Sequence, residues 1–175
     1  MGIEIERRFL VDQELADQWR TYPSQAVLQG YIARDGLGSQ VRVRIVDNKA
    51  RLTVKGTRTG CSRPEYEFEI PLREAEAMLD ELHVGDLIEK RRYRVPYEGY
   101  IWEVDEFYGD NTGLIIAEIE IPSADTPFDK PAWIGREITE LDRYGNAALS
   151  IRPINRWSQE DQLSAVEPAA TDGLR

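Results

Sequence analysis

Strand-length segments of this chain repeat one sign of charge at every second residue, with apolar residues between. Arg42 and Arg44 alternate with Val41, Val43 and Ile45. Arg51, Thr53 and Lys55 alternate with Leu52 and Val54, and Glu65, Glu67 and Glu69 with Tyr66, Phe68 and Ile70. Lys90, Arg92 and Arg94 follow, then Glu103 and Asp105 around Val104, then Glu118 and Glu120 around Ile119. A period of 2 is the signature of β-strands, and it places each charged set on one face of a sheet. The commonest cause is an antiparallel sheet with one dry and one solvated face. A solvated face usually mixes Thr, Ser, Gln and Lys, however, whereas like charges about 7 Å apart along a strand repel unless neighbouring strands or a bound ion compensate them.

Strands are expected at residues 3–10, 27–34, 40–47, 50–56, 65–71, 90–97, 100–107 and 114–121, about eight in all. Helical spacing marks 12–21 and 73–82, and a third short helix is expected over 135–142. The fold class is therefore α+β. The simplest architecture using every charged set is an eight-stranded antiparallel β-barrel, closed or nearly so, apolar outside beneath flanking helices and charged inside, able to enclose one small ligand. Inside such a cavity basic strands would grip an oligophosphate, and acidic strands would hold a divalent cation, which favours carboxylate oxygens. The domain is expected to span 1–157, with the small and polar stretch 158–175 as a mobile tail.

The net charge is −10, from 32 acidic and 22 basic residues, which argues against a nucleic-acid partner. No apolar run has the roughly 20 residues of a membrane helix. Charges in the first residues where a secretory signal would be apolar, and a lone cysteine, Cys61, point to the cytoplasm. The single histidine, His83, leaves a His-based metal site or a Ser-His-Asp triad unsupported.

Glu4-x-Glu6-x-Arg8 resembles the Glu-x-Glu-x-Lys signature of the CYTH superfamily, the triphosphate tunnel metalloenzymes. Gln29-Gly30-Tyr31, Val41-Arg42-Val43-Arg44, Leu52-Thr53-Val54-Lys55-Gly56, Glu67-Phe68-Glu69, Glu89-Lys90-Arg91-Arg92, Trp102-Glu103-Val104-Asp105 and Ala117-Glu118-Ile119-Glu120 follow in family order, so the resemblance covers about residues 3–155. It implies an eight-stranded tunnel that acts on a triphosphate with Mg²⁺ or Mn²⁺. By resemblance, Glu4, Glu6, Glu118 and Glu120 hold metal, with Asp105 assisting, and Arg42, Arg44, Lys55, Lys90 and Arg92 bind the triphosphate. Glu67 and Glu69 either bind metal or organise the basic residues. Position 8 departs from the pattern: Arg8 keeps its proton and cannot be a general base, so any proton shuttle involving this position and Tyr31 would be altered, with lower activity than in Lys-bearing relatives.

The implied reaction is hydrolysis of inorganic tripolyphosphate to pyrophosphate and phosphate. Class IV adenylate cyclase and thiamine or nucleoside triphosphatase are alternatives within the superfamily, and a non-catalytic polyphosphate- or nucleotide-binding module is an alternative outside catalysis. Many members of the family are dimers, so a homodimer is the implied assembly.

Overall fold

The computed structural model describes residues 5–57 and 64–166, so Glu4 and Cys61 lie outside the described residues. Nine strands form one antiparallel sheet: β1 (Ile5–Val11), β2 (Ser24–Arg34), β3 (Gln40–Val46), β4 (Lys49–Lys55), β5 (Glu65–Ile70), β6 (Val84–Tyr97), β7 (Tyr100–Phe107), β8 (Ile115–Ile121) and β9 (Ile134–Glu137). Their spatial order is β5-β4-β3-β2-β6-β7-β8-β1-β9. Two sequence expectations are corrected. Among the described residues the sheet has nine strands rather than eight and no pairing joins β5 to β9, so the ladder is not closed. The sheet is nevertheless strongly curved, because β4 and β1, near its opposite ends, line one cavity.

The ninth strand replaces the helix expected over 135–142. Ile134, Ile138 and Leu141 have helical spacing, but Ile134 and Glu137 pair with Val11 and Phe9 of β1 across a register shift. The expected first helix is a shorter 3₁₀ segment, Gln13–Gln18, kinked at Leu15 and begun by Asp12, whose side chain accepts from the Glu14 N–H at 2.9 Å. The helix expected at 73–82 forms as α1 (Leu72–Glu81).

The convex face carries two apolar clusters. Phe9, Trp102, Val104, Ala117 and Ile119 are buried beneath Trp19 and Trp133, and Val43, Ile45 and Ala50 pack against Ala75 and Leu79 of α1. Gly30 permits that second contact, since a Cβ there would lie 2.7 Å from Leu87 and 2.9 Å from Leu79. No helix among the described residues is long and apolar enough to cross a membrane.

The concave face is charged over only part of its length. Leu10, Ile88, Phe107 and Ile116, which continue the inward parity of Arg8, Lys90, Asp105 and Glu118, form an apolar layer at one end. Ile138, Tyr144, Leu149, Ile154 and Trp157 cover this layer. The covering segment includes α2 (Asn146–Leu149) and leads into α3 (Gln159–Val166), whose Ala165 is buried in the same cluster. Residues 159–166, expected to belong to a mobile tail, are thus helical and packed. Residues 167–175 lie outside the described residues. Gly85, at φ +78°, allows the close approach that seats this segment: the Asp86 N–H donates to Ser150 O at 2.6 Å, and a Cβ on Gly85 would lie 2.4 Å from that oxygen.

Candidate active site

Strand register assembles the site from directly opposed residues. Glu6 faces Glu120 and Arg8 faces Glu118 between β1 and β8; Arg92 faces Asp105 and Arg94 faces Glu103 between β6 and β7; Arg42 faces Thr53 between β3 and β4. Directly opposed residues share a face of the sheet, so these charges converge on the concave side. A cavity of about 390 Å³ has Arg42, Arg44 and Lys55 on one wall and Glu6, Glu118 and Glu120 on the other. A second, of about 460 Å³, shares Arg44, Arg92, Arg94 and Glu103 with the first and adds Glu67, Lys90 and Arg51.

At the centre Arg92 is held by three carboxylates. Its Nε and Nη2 donate to the two oxygens of Asp105, each at 2.7 Å, Nη2 reaches Glu118 at 3.0 Å, and Nη1 donates to Glu103. Lys90 Nζ donates to Asp105 at 2.6 Å and to Asn146 Oδ1 at 3.3 Å. Burial works against charge on Asp105, but Lys90 and Arg92 outweigh it and hold the carboxyl down at about 2. For Arg92, too, burial is outweighed, and the partner carboxylates raise its pKa. Burial, reinforced by Arg92, lowers that of Lys90, against the pull of Asp105.

The opposite wall lacks such compensation. Arg42 is 8% exposed and donates to Thr53 Oγ1 at 3.3 Å; Arg44 donates from Nε to Gln29 Oε1 at 2.8 Å. Among the described residues neither makes a salt bridge. Burial lowers Arg44 to about 10, and the charges of Arg42 and Arg92 push the same way. Holding cations so close without carboxylates is costly unless an anion joins them.

The acidic wall has the complementary problem. Glu118 is pushed up to about 8 by burial and by the charges of Asp105 and Glu6, against the opposing pull of Lys90 and Arg92. Its donor chemistry, carboxylate oxygens from Glu6, Glu118 and Glu120 on paired strands, suits a hard divalent cation, whose charge would relieve this repulsion. Among the described residues, no three such side chains already converge as a metal cage.

Other expected residues stand apart. Lys55 lines the cavity and pairs with Glu65 at 2.9 Å. Glu67 accepts from Arg51 at 2.8 Å and from Thr53 at 3.1 Å, whereas Glu69 is exposed and lies 3.8 Å from Arg51. Tyr31 is buried and lines neither cavity, with the Arg34 guanidinium 3.9 Å from its ring centroid. Arg8 also lines neither: its N–H donates to Thr139 Oγ1 at 3.0 Å, its guanidinium donates to Thr139 O at 3.1 Å, and its carbonyl accepts from Ile138 at 2.8 Å.

Sequence reasoning left Arg94 between tunnel wall and exposed rim, and gave Glu103 and Asn146 no role in the site. The first two share the charged parity of their strands, a signal that was available. Asn146 comes from a non-strand segment and had none.

A CYTH domain model matches residues 2–150. Among curated proteins, an inorganic triphosphatase of Acetivibrio thermocellus is 47% identical over 160 residues, covering 91% of this chain and 100% of that protein. An inorganic triphosphatase of Nitrosomonas europaea is 35% identical over 152 residues, covering 85% and 97%. A crystal structure of an inorganic triphosphatase superposes with a TM-score of 0.66 at 30% identity, covering 86% of this chain and 96% of that one. With a concave, bipolar charged face and a family match over most of its length, this chain belongs to the CYTH domain family.

Proposed function

We propose that this protein is a metal-dependent triphosphatase that hydrolyses inorganic tripolyphosphate to pyrophosphate and phosphate on the concave face of its sheet. The observation that carries the reading is the Arg42–Arg44 wall, two arginines without carboxylate partners among the described residues, facing a cavity of about 390 Å³. The two relatives named as inorganic triphosphatases support the same substrate.

Arg42, Arg44 and Lys55 would bind the phosphoryl oxygens, with Arg neutralising charge through its planar fork of donors. Lys90 and Arg92, locked by Asp105, hold their remaining N–H donors in fixed positions at the middle of the site, and preorganised donors of this kind stabilise the transition state of phosphoryl transfer. Both Asp105 oxygens are taken by these cations, which supports an organising role for Asp105. The bonds of Glu67 to Arg51 and Thr53 support the same kind of role for that residue.

Glu6, Glu118 and Glu120, with Glu4 of the signature, would hold the metal, Mg²⁺ or Mn²⁺. When bound, such an ion neutralises phosphate charge and activates water for attack on phosphorus. The bonds of Arg8 to Thr139 support a role in holding the covering segment. A sheet curled around the substrate without pairing of its end strands, a cytoplasmic location and a homodimer belong to the same proposal. The joint lining of one cavity by β1 and β4 supports the first.

Phosphate release from tripolyphosphate, ATP and thiamine triphosphate, with Mg²⁺, Mn²⁺ or chelator, tests the reading. Metal-dependent release, fastest from tripolyphosphate and abolished in a Glu6→Ala/Glu118→Ala variant, is expected. Cyclic AMP formation from ATP, or ligand-induced thermal stabilisation without turnover, would replace it with a cyclase or a binding module.

A further inference from the structure

Among the described residues lining the smaller cavity, only Asn146 comes from outside the sheet. It opens α2 in the segment covering the apolar end of the concave face, and four hydrogen bonds fix it there. Arg34 of β2 donates to Ala147 O at 2.9 Å and to Ser150 Oγ at 2.6 Å; the Asp86 N–H holds Ser150 O; and Lys90 Nζ donates to the side-chain carbonyl of Asn146 at 3.3 Å. An ammonium group only donates, so this contact decides the orientation of the Asn146 amide. The oxygen faces Lys90, and the NH₂ occupies the other prong. Among the described residues that NH₂ has no acceptor, although its side chain borders a cavity rich in carboxylates and cations.

We propose that Asn146 is a substrate-positioning residue, its amide NH₂ donating to a phosphoryl oxygen beside Lys90. The assignment rests on the triphosphate reading of the cavity and adds a recognition element to it. An uncharged donor suits this place: it satisfies a phosphoryl oxygen without increasing the repulsion among Arg42, Arg44 and Arg92, which adds to burial in lowering Arg44. Arg34 is the anchor that makes the donor rigid, and its guanidinium also covers Tyr31.

Asn146→Asp separates substrate contact from support of Lys90. It keeps an acceptor for the ammonium but exchanges the donor for a negative charge facing the anion. Steady-state hydrolysis of tripolyphosphate is measured for wild type, Asn146→Ala and Asn146→Asp, together with melting temperatures. The expected result is a KM raised about tenfold by Ala, as for loss of one hydrogen bond to a charged group, and raised further by Asp, with kcat reduced less than KM is raised. An Asp variant equal to or better than Ala, or both within about twofold of wild type, overturns the assignment. Should the Asp variant melt early, Asn146→Ser takes its place: its hydroxyl restores part of the Ala loss, and no recovery counts against the proposal. A wild type inert towards tripolyphosphate instead overturns the function reading, and this assignment with it.

Discussion

The two walls of the cavity are built from the same kinds of side chain but are balanced differently. On β6, Lys90 and Arg92 are matched by Asp105 and Glu103 of β7 and Glu118 of β8 in one connected network. On β3, Arg42 and Arg44 meet, among the described residues, only a hydroxyl and an amide oxygen. The first wall is complete within the protein and fixes geometry. The second is incomplete, and its missing negative charge describes the ligand. Sequence alternation alone made these sets of cations look equivalent, and the partner each finds across the sheet separates them.

The comparison breaks most visibly at Asp105. Asp105→Ala leaves Lys90 buried and Arg92 short of its main partner, and breaking a buried pair from one side costs about 3–5 kcal/mol. A large fall in melting temperature is expected along with loss of activity; an unchanged melting temperature would show that the network does not organise the wall.

Arg44→Ala should do the reverse. Activity is expected to fall about 100-fold or more, in the range for losing a preorganised donor to a transition-state oxyanion. Stability should stay level or rise in the absence of ligand, because a poorly compensated cation is removed. A melt as low as that of Asp105→Ala would erase the distinction between the walls.

A smaller effect concerns the acidic side. Glu118 is raised from an ordinary value of 4.5 to about 8 by burial and by Asp105 and Glu6. A carboxyl with a folded-state pKa above its unfolded one binds its proton more tightly when folded. Its contribution is full below about pH 4.5 and is lost as pH rises through 8. Chelator-treated protein should therefore lose stability over that window, and Glu118→Gln should flatten the curve; a wild-type curve that is flat or rising there would contradict the assignment.

Position 8 carries the smallest expected change. If Arg8 only ties β1 to Thr139, Arg8→Lys loses at most about 1 kcal/mol for one hydrogen bond and leaves the rate and its pH profile unchanged. A faster variant with a shifted profile would return a proton-handling role to this position.

Much of this was legible because strand parity is a local rule. Arg42, Lys90, Asp105 and Glu118 could be assigned to one face from alternation alone, whereas the pairing of Arg92 with Asp105 comes from the register. The rest depended on distant contacts. The strand at Ile134–Glu137 is four residues long and its apolar spacing fits a helix, so only pairing with β1 reveals it. The apolar end of the concave face was hidden because Leu10, Ile88, Phe107 and Ile116 interrupt the charged parity, and the residues covering them lie in the C-terminal third of the chain. Asn146 belongs to that segment, where no periodicity marks a residue as facing the site.

The central claim is that the β3 wall awaits a polyanion. Calorimetric titration of tripolyphosphate into chelator-treated wild type and Arg42→Ala/Arg44→Ala, with Arg73→Ala, an exposed α1 residue that lines neither cavity, as control, tests it most directly. Saturable binding that the double variant abolishes and the control largely retains is the expected result; equal affinity in wild type and the double variant would contradict the account.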